Sequence, residues 1–397
     1  MNCRALRAIA LVMMMTLGAG LSAQTNGDIQ DGDTALASSL VAKGKNAESL
    51  QLPDLAERYY NEALEADPQS TLAHMSLGLL HESRFHPEQA CFALRKAIEC
   101  DSLLTDGRGS AYTATLYEHL AYNLVECGRY DEARPYTERA VELNPQSASA
   151  YASMALIINS TKNYTAALTW ANKAIKNEPK YPRAYNVLGV IQYNQGHDNE
   201  AIAQFRKTLS LDPNNVDAYY NLGLMYTQRN NFETAIQYLK KGLKLEPKSI
   251  KLYYFLGIAY MQKNDATKAV QCYEAILEMD SLNVRAFNQL GRIYCSKGDY
   301  DKAVAMHQRA SRIDPHDATA FKLLGKTYTE RGQYDKALRS YQKAVLVNEK
   351  DHDTYCLIAQ LYNKQGNNAR ETASYKKAAK LGNKEAQAWM VKHGMGW

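Results

Sequence analysis

The sequence predicts an all-α fold built as a linear array of stacked helical hairpins, and three observations carry that prediction. A small residue returns every 34 residues, at Gly44, Gly78, Ala121, Ala155, Gly189, Gly223, Gly257, Gly291, Gly325 and Ala359, with one interval, Gly78 to Ala121, longer by nine. Twelve residues behind runs a second register of Ala56, Ala90, Ala133, Ala167, Ala201, Ala235, Ala269, Ala303 and Ala337, broken only at Glu371. Pro stands at a third fixed place in six repeats: Pro68, Pro145, Pro179, Pro213, Pro247 and Pro315. A period this long means like supersecondary units that bury their apolar faces against one another.

The bulk properties fit such an array. A chain of 397 residues would ordinarily form two or three globular domains, but an array grows in one dimension. Tyr outnumbers Phe, 28 to 7, which suits a thin core where a ring packs and its hydroxyl reaches water. The net charge of +5 includes Arg4 and Arg7 near the N-terminus. The rest is too mild to predict nucleic-acid binding, and neither a long basic run nor a nucleic-acid module is present.

Residues 1–23 read as a secretory signal peptide. Arg4 and Arg7 precede an apolar stretch from Ala8 to Leu21, then the small residues Ser22 and Ala23. That stretch is shorter than the roughly 20 residues that span a bilayer. Residues 24–36 are polar, with Asn26-Gly27 and Asp31-Gly32, and are expected to be a disordered lead-in. The array is expected over 37–383, in ten repeats starting at Ala37, Thr71, Ala114, Ala148, Pro182, Val216, Ile250, Val284, Ala318 and His352. Residues 105–113 form the insertion and are expected to be an exposed loop. Residues 384–397 are expected to be a cap helix and tail. The mature chain should then be exported, with no transmembrane segment. Its six cysteines contain no CxxC pair. They are expected to be buried free thiols, although an even number in an oxidising compartment permits disulfides.

The repeat from Val284 to Asp317 shows the local logic. Phe287, Leu290, Gly291 and Tyr294 define one helical face. Lys297-Gly298-Asp299 breaks that helix, with Gly298 in a left-handed turn. Ala303, Val304, His307 and Ala310 trace a second helix, which Asp314-Pro315 ends. A helix-interior Gly costs about 1 kcal/mol relative to Ala, so the recurring Gly implies a close helix crossing, assigned to Gly291 against Ala303.

Tyr219, Leu222-Gly223, Tyr226, Ala235 and Pro247 stand in the order and spacing that resemble the tetratricopeptide repeat. The resemblance covers residues 37 to 383, with departures at His74, Ser281, Glu349 and Glu371. It implies a right-handed superhelical solenoid whose first helices line a concave groove. It also implies groove-facing side chains two, five, nine and twelve places into each repeat. Those places hold acids early (Glu48, Glu82, Glu118), polar and aromatic residues in the middle (Asn186, Tyr193, Tyr220, Tyr254) and bases later (Arg285, Asn288, Arg292, Lys322, Lys326). The family's clamp for chaperone tails is not met, because Lys326 stands where that pattern needs Asn.

No HExxH, phosphate-cradling Gly loop or GxSxG elbow occurs, so no catalytic residue, metal or cofactor is expected. The reading is a non-catalytic scaffold that binds an extended peptide or partner protein, of acidic character, within an envelope or secreted assembly. The alternatives are a client-recruiting subunit of a separate enzyme or secretion machine, and a self-associating structural protein.

Overall fold

The computed structural model describes residues 31–84, 86–101 and 111–397. The signal peptide, residues 24–30 of the lead-in and residues 105–110 of the insertion lie outside the described residues. Among the described residues there are twenty-one α-helices and no strand. They form two compact parts, divided between Ala218 and Tyr219.

The first part holds five hairpins: α1 (Asp31–Ser49) with α2 (Pro53–Ala66), α3 (Thr71–Ser83) with α4 (Pro87–Cys100), α5 (Ala111–Glu126) with α6 (Tyr130–Leu143), α7 (Ala148–Ser160) with α8 (Tyr164–Asn177), and α9 (Pro182–Asn194) with α10 (Asp198–Leu211). The second part holds α12 (Phe232–Leu245), α13 (Ile250–Gln262) with α14 (Ala266–Met279), α15 (Val284–Ser296) with α16 (Tyr300–Ile313), α17 (Ala318–Glu330) with α18 (Tyr334–Val347), α19 (His352–Lys364) with α20 (Asn368–Lys380), and α21 (Lys384–Lys392). The helix α11 (Val216–Gln228) runs through the division. Within each part, each of the paired second helices packs on its own first helix, and second helices also pack on the first helix that follows, as α12 does on α13. This is the all-helical repeat array that the period implies.

Two boundaries differ from expectation. Residues 31–36 are helical, because α1 runs back from the buried Ala37, Leu40 and Val41. Asp33 near its start also suits the positive end of the helix dipole. Residues 111–113 belong to α5 and not to a loop: the buried Thr113 hydroxyl donates to Asp101 Oδ2 at 3.2 Å and anchors the helix start.

The Ala register is fully buried at all nine positions. Glu371, which breaks it, is also buried and accepts a hydrogen bond from Asn363 Nδ2 at 2.9 Å. The recurring Gly has a different partner from the one expected. A Cβ on Gly257 would lie 2.6 Å from the Tyr273 ring, and one on Gly325 would lie 2.6 Å from the Tyr341 ring. Gly44 faces Tyr60, Gly189 faces Phe205 and Gly291 faces His307 in the same way. Each Gly is thus a notch that seats a large side chain sixteen residues later, not a site of contact with the buried Ala such as Ala303. Where the notch residue is Ala, the residue sixteen later is the small Thr137 after Ala121 and Ala171 after Ala155, but the half-buried Tyr375 after Ala359.

Several first helices begin on side-chain caps, whereas α9 and α13 do not. Ser147 Oγ accepts from Ala150 N at 3.0 Å, and Asn283 Oδ1 accepts from Ala286 N at 3.0 Å. The turn within most hairpins holds a left-handed residue: Gly298 supplies it at φ 77°, whereas Asn230 and Asn264 do so elsewhere. The six cysteines beyond Cys3 are free thiols.

Candidate functional site

In the second part, the solvent side of α13, α15 and α17 forms a cleft of about 470 Å³. The apolar Ile258 and Met261 stand on α13, Arg292 on α15, and Lys326 and Glu330 on α17. The base is set by the notches, since Tyr273 and His307, seated in Gly257 and Gly291, both line the cleft. A row of contacts leads away from it. Arg292 donates to Gln289 Oε1 at 3.4 Å, and Gln289 Nε2 donates to the Tyr254 hydroxyl at 2.9 Å. Tyr254 packs edge-on to Phe255 at 5.6 Å, and Phe255 edge-on to Tyr220 at 5.1 Å. Lys251 Nζ lies 3.7 Å from the centroid of Tyr220.

The structure therefore brings Tyr220, Tyr254, Arg292 and Lys326 into one continuous surface. Arg292 and Lys326 remain exposed, so their charge is available at the cleft. Chemically, two cations beside an apolar wall suit a carboxylate next to an apolar side chain. Glu330, one turn along α17 from Lys326, brings a carboxylate to the same cleft and accepts from the Cys295 thiol at 3.0 Å. Phe255 and Gln289 complete the row. The groove register does not reach them, because they stand six places into their repeats.

Three late residues expected in the groove lie elsewhere. Asn288 is buried, with its Oδ1 3.4 Å from His307 Nδ1, so it belongs to the core beneath the cleft. Lys322 Nζ pairs with Asp351 at 3.1 Å and so buttresses the start of α19. Burial raises the Asp351 pKa, but hydrogen bonds from Thr354 and Lys322 outweigh it and leave the carboxyl below its ordinary value. Arg285 is exposed at the start of α15 and does not line the cleft.

In the first part Asn186 and Tyr193 are half-buried on α9. The dominant charge there is Arg183, which stands two places into its repeat, so the groove register does point to it. It donates to Ser153 Oγ at 2.9 Å and to Glu126 Oε1 at 3.2 Å, and its guanidinium lies 4.2 Å from the Tyr122 centroid. Glu82 accepts from His119 Nδ1 at 2.9 Å and from Asn123 Nδ2 at 2.8 Å. Burial works to raise the Glu82 pKa, but His119, Asn123 and Arg183 overcome it and leave a net depression. Glu48 is engaged by the Tyr60 hydroxyl, and Glu118 by Asn144 at 3.3 Å. The early acids are thus held by internal partners, within the repeat for Glu48 and Glu118 and across to the next repeat for Glu82.

The family description "Tetratricopeptide repeat" matches residues 34–98 and 120–182. A second tetratricopeptide description, the C-terminal domain of cilia and flagella-associated protein 70, matches residues 177–393. The chain belongs to the tetratricopeptide repeat family. No curated protein sequence matches this tetratricopeptide chain. Among solved structures, the Cut9 and Hcn1 hetero-tetramer of APC/C is 18% identical with a TM-score of 0.52, covering 99% of this chain and 83% of that one. A tetratricopeptide repeat protein from Parabacteroides merdae is 24% identical with a TM-score of 0.51, covering 62% and 98%. Human IFIT1 in its dimer with PPP-AAAA is 15% identical with a TM-score of 0.53, covering 90% and 96%. At these identities the likeness establishes the fold alone, and it is the family match that supports a protein–protein interaction scaffold. Among the described residues no helix is long and apolar enough to cross a membrane, and no cluster of three or more His, Cys, Asp or Glu is placed to hold a metal ion.

Proposed function

We propose that this tetratricopeptide chain is a non-catalytic scaffold that holds an extended, acidic segment of a partner protein on the row from Tyr220 to Lys326. The observation that carries the proposal is the pairing of exposed Arg292 and Lys326 with the apolar wall of Ile258 and Met261 in one cleft. Tyr220, Phe255 and Tyr254 would extend the contact, since aromatic anchors dominate the energetics of many interfaces. The early groove contributes less, because its acids already have internal partners. The setting we propose is an exported one, after removal of residues 1–23 as a signal peptide, on the strength of the basic start, apolar stretch and small residues at the N-terminus.

Crosslinking in cells followed by mass spectrometry tests both statements on the full chain. The Arg292→Glu, Lys326→Glu variant is expected to lose a partner crosslink seen with the wild type while its helical circular dichroism stays the same. The same spectra are expected to give a mature N-terminus at Gln24. An unchanged crosslink pattern would discard the basic cleft as the binding site, and peptides retaining residues 1–23 would discard the export reading.

A further inference from the structure

A second cleft, of about 420 Å³, lies between α16 and α18, with α17 as its floor. Arg312 enters from α16, and Lys336, Arg339 and Lys343 enter from α18. The last three recur at helical spacing and so share one face. Phe321 and Tyr328 form the floor; Lys336 Nζ lies 5.7 Å from the Tyr328 centroid and Lys343 Nζ 5.7 Å from that of Phe321. Both ammonium groups are therefore held over rings. Among the described residues no carboxylate lines this cleft, and none of its four cations has an ion-pair partner.

The repeat register sharpens the contrast. One repeat earlier, the places of Lys336, Arg339 and Lys343 hold Lys302, Ala305 and Arg309. The places of Gln308 and Arg312 there hold Glu274 and Glu278. That earlier set balances two cations with two acids. In the later set both acids are gone and two cations are added. Four like charges around a small cleft repel one another and raise a positive potential, which a bound anion relieves.

The donors indicate which anion. The hydroxyls of Ser311 and Ser340 are already spent on the carbonyls of Gln308 at 3.0 Å and Lys336 at 2.9 Å. What the cleft offers a ligand is two guanidinium forks and two ammonium groups. That set suits the acceptor-only oxygens of a phosphoryl group. The volume falls in the range of small-molecule sites, roughly 300–1,000 Å³. We infer that the cleft between α16 and α18 binds a small phosphorylated ligand carrying at least two negative charges, independently of the peptide-binding row on α13, α15 and α17.

Isothermal titration calorimetry of the full chain with inorganic pyrophosphate in about 0.15 M salt, where charges far from the ligand are largely screened, tests this. Binding is expected, and the Arg312→Ala, Arg339→Ala variant should weaken it by at least about tenfold, or 1.4 kcal/mol. The Arg292→Glu, Lys326→Glu variant should leave it unchanged. Both pairs of side chains are exposed, and circular dichroism verifies that the variants fold. Absence of pyrophosphate binding, or equal losses in both variants, would overturn the inference. Vesicles of phosphatidylglycerol supply the remaining arm: sedimentation with them that depends on Arg312 and Arg339, without pyrophosphate binding, would assign the cleft to a membrane surface instead.

Discussion

His307 shows how one residue joins core, charge and site. It occupies the notch of Gly291, where neighbouring repeats place Tyr273 and Tyr341. Burial, reinforced by the positive charge of Arg292, pushes its pKa down to about 4. The unfolded ring titrates near 6.5, so between those values the unfolded chain binds the extra proton. The stability associated with His307 is therefore complete above about pH 6.5 and is lost as pH falls toward 4, on the order of 3 kcal/mol in all. Urea unfolding of wild type and His307→Tyr at pH 7 and pH 5 reads this directly. The variant should show a smaller fall in midpoint over that interval, and an identical fall would exclude His307 as the source. The residue scale is also where the sequence was least transparent. That His307 packs follows from its place in the helix period, but its neighbour Asn288 reads as groove-facing until its bond to the imidazole is seen. Lys322 likewise reads as a free cation, because its partner Asp351 is brought near only by the next repeat.

At the scale of the helix pair, the notch explains why the small residue recurs. Gly257 has the Tyr273 ring where its Cβ would stand, so the buried ring must shift from its seat to admit one. Gly257→Ala should therefore destabilise the chain by about 1–3 kcal/mol through overpacking, despite the better helix propensity of Ala. Thermal unfolding of this variant beside Gly257→Ala, Tyr273→Ala decides the mechanism. The second change copies the Ala155 and Ala171 pair, so the added cost of Gly257→Ala should vanish in the Tyr273→Ala background even though that background is itself weaker. The same cost in both backgrounds would contradict the notch. The hairpins were legible because their signals are local: a 34-residue period, Pro after second helices, Gly at turns. The partner of each Gly was not, since Ala303 and His307 both lie on the second helix and only packing tells them apart. The added turns at 31–36 and 111–113 were hidden by polar and small residues whose helical state depends on the buried faces behind them.

At the scale of the molecule, the array multiplies one hairpin into a series of clefts whose chemistry drifts from repeat to repeat. The first part closes its polar residues on themselves through Arg183 and Glu82, whereas the second part leaves Arg292 and Lys326 exposed. That difference, and not the family resemblance, selects where a ligand would sit. The most direct test of the account is selection of a random peptide display library on the immobilised full chain. Acidic peptides with an adjacent apolar residue should be enriched, and the enrichment should disappear on the Arg292→Glu, Lys326→Glu chain. Peptides without acidic character, or the same peptides recovered on both chains, would contradict it.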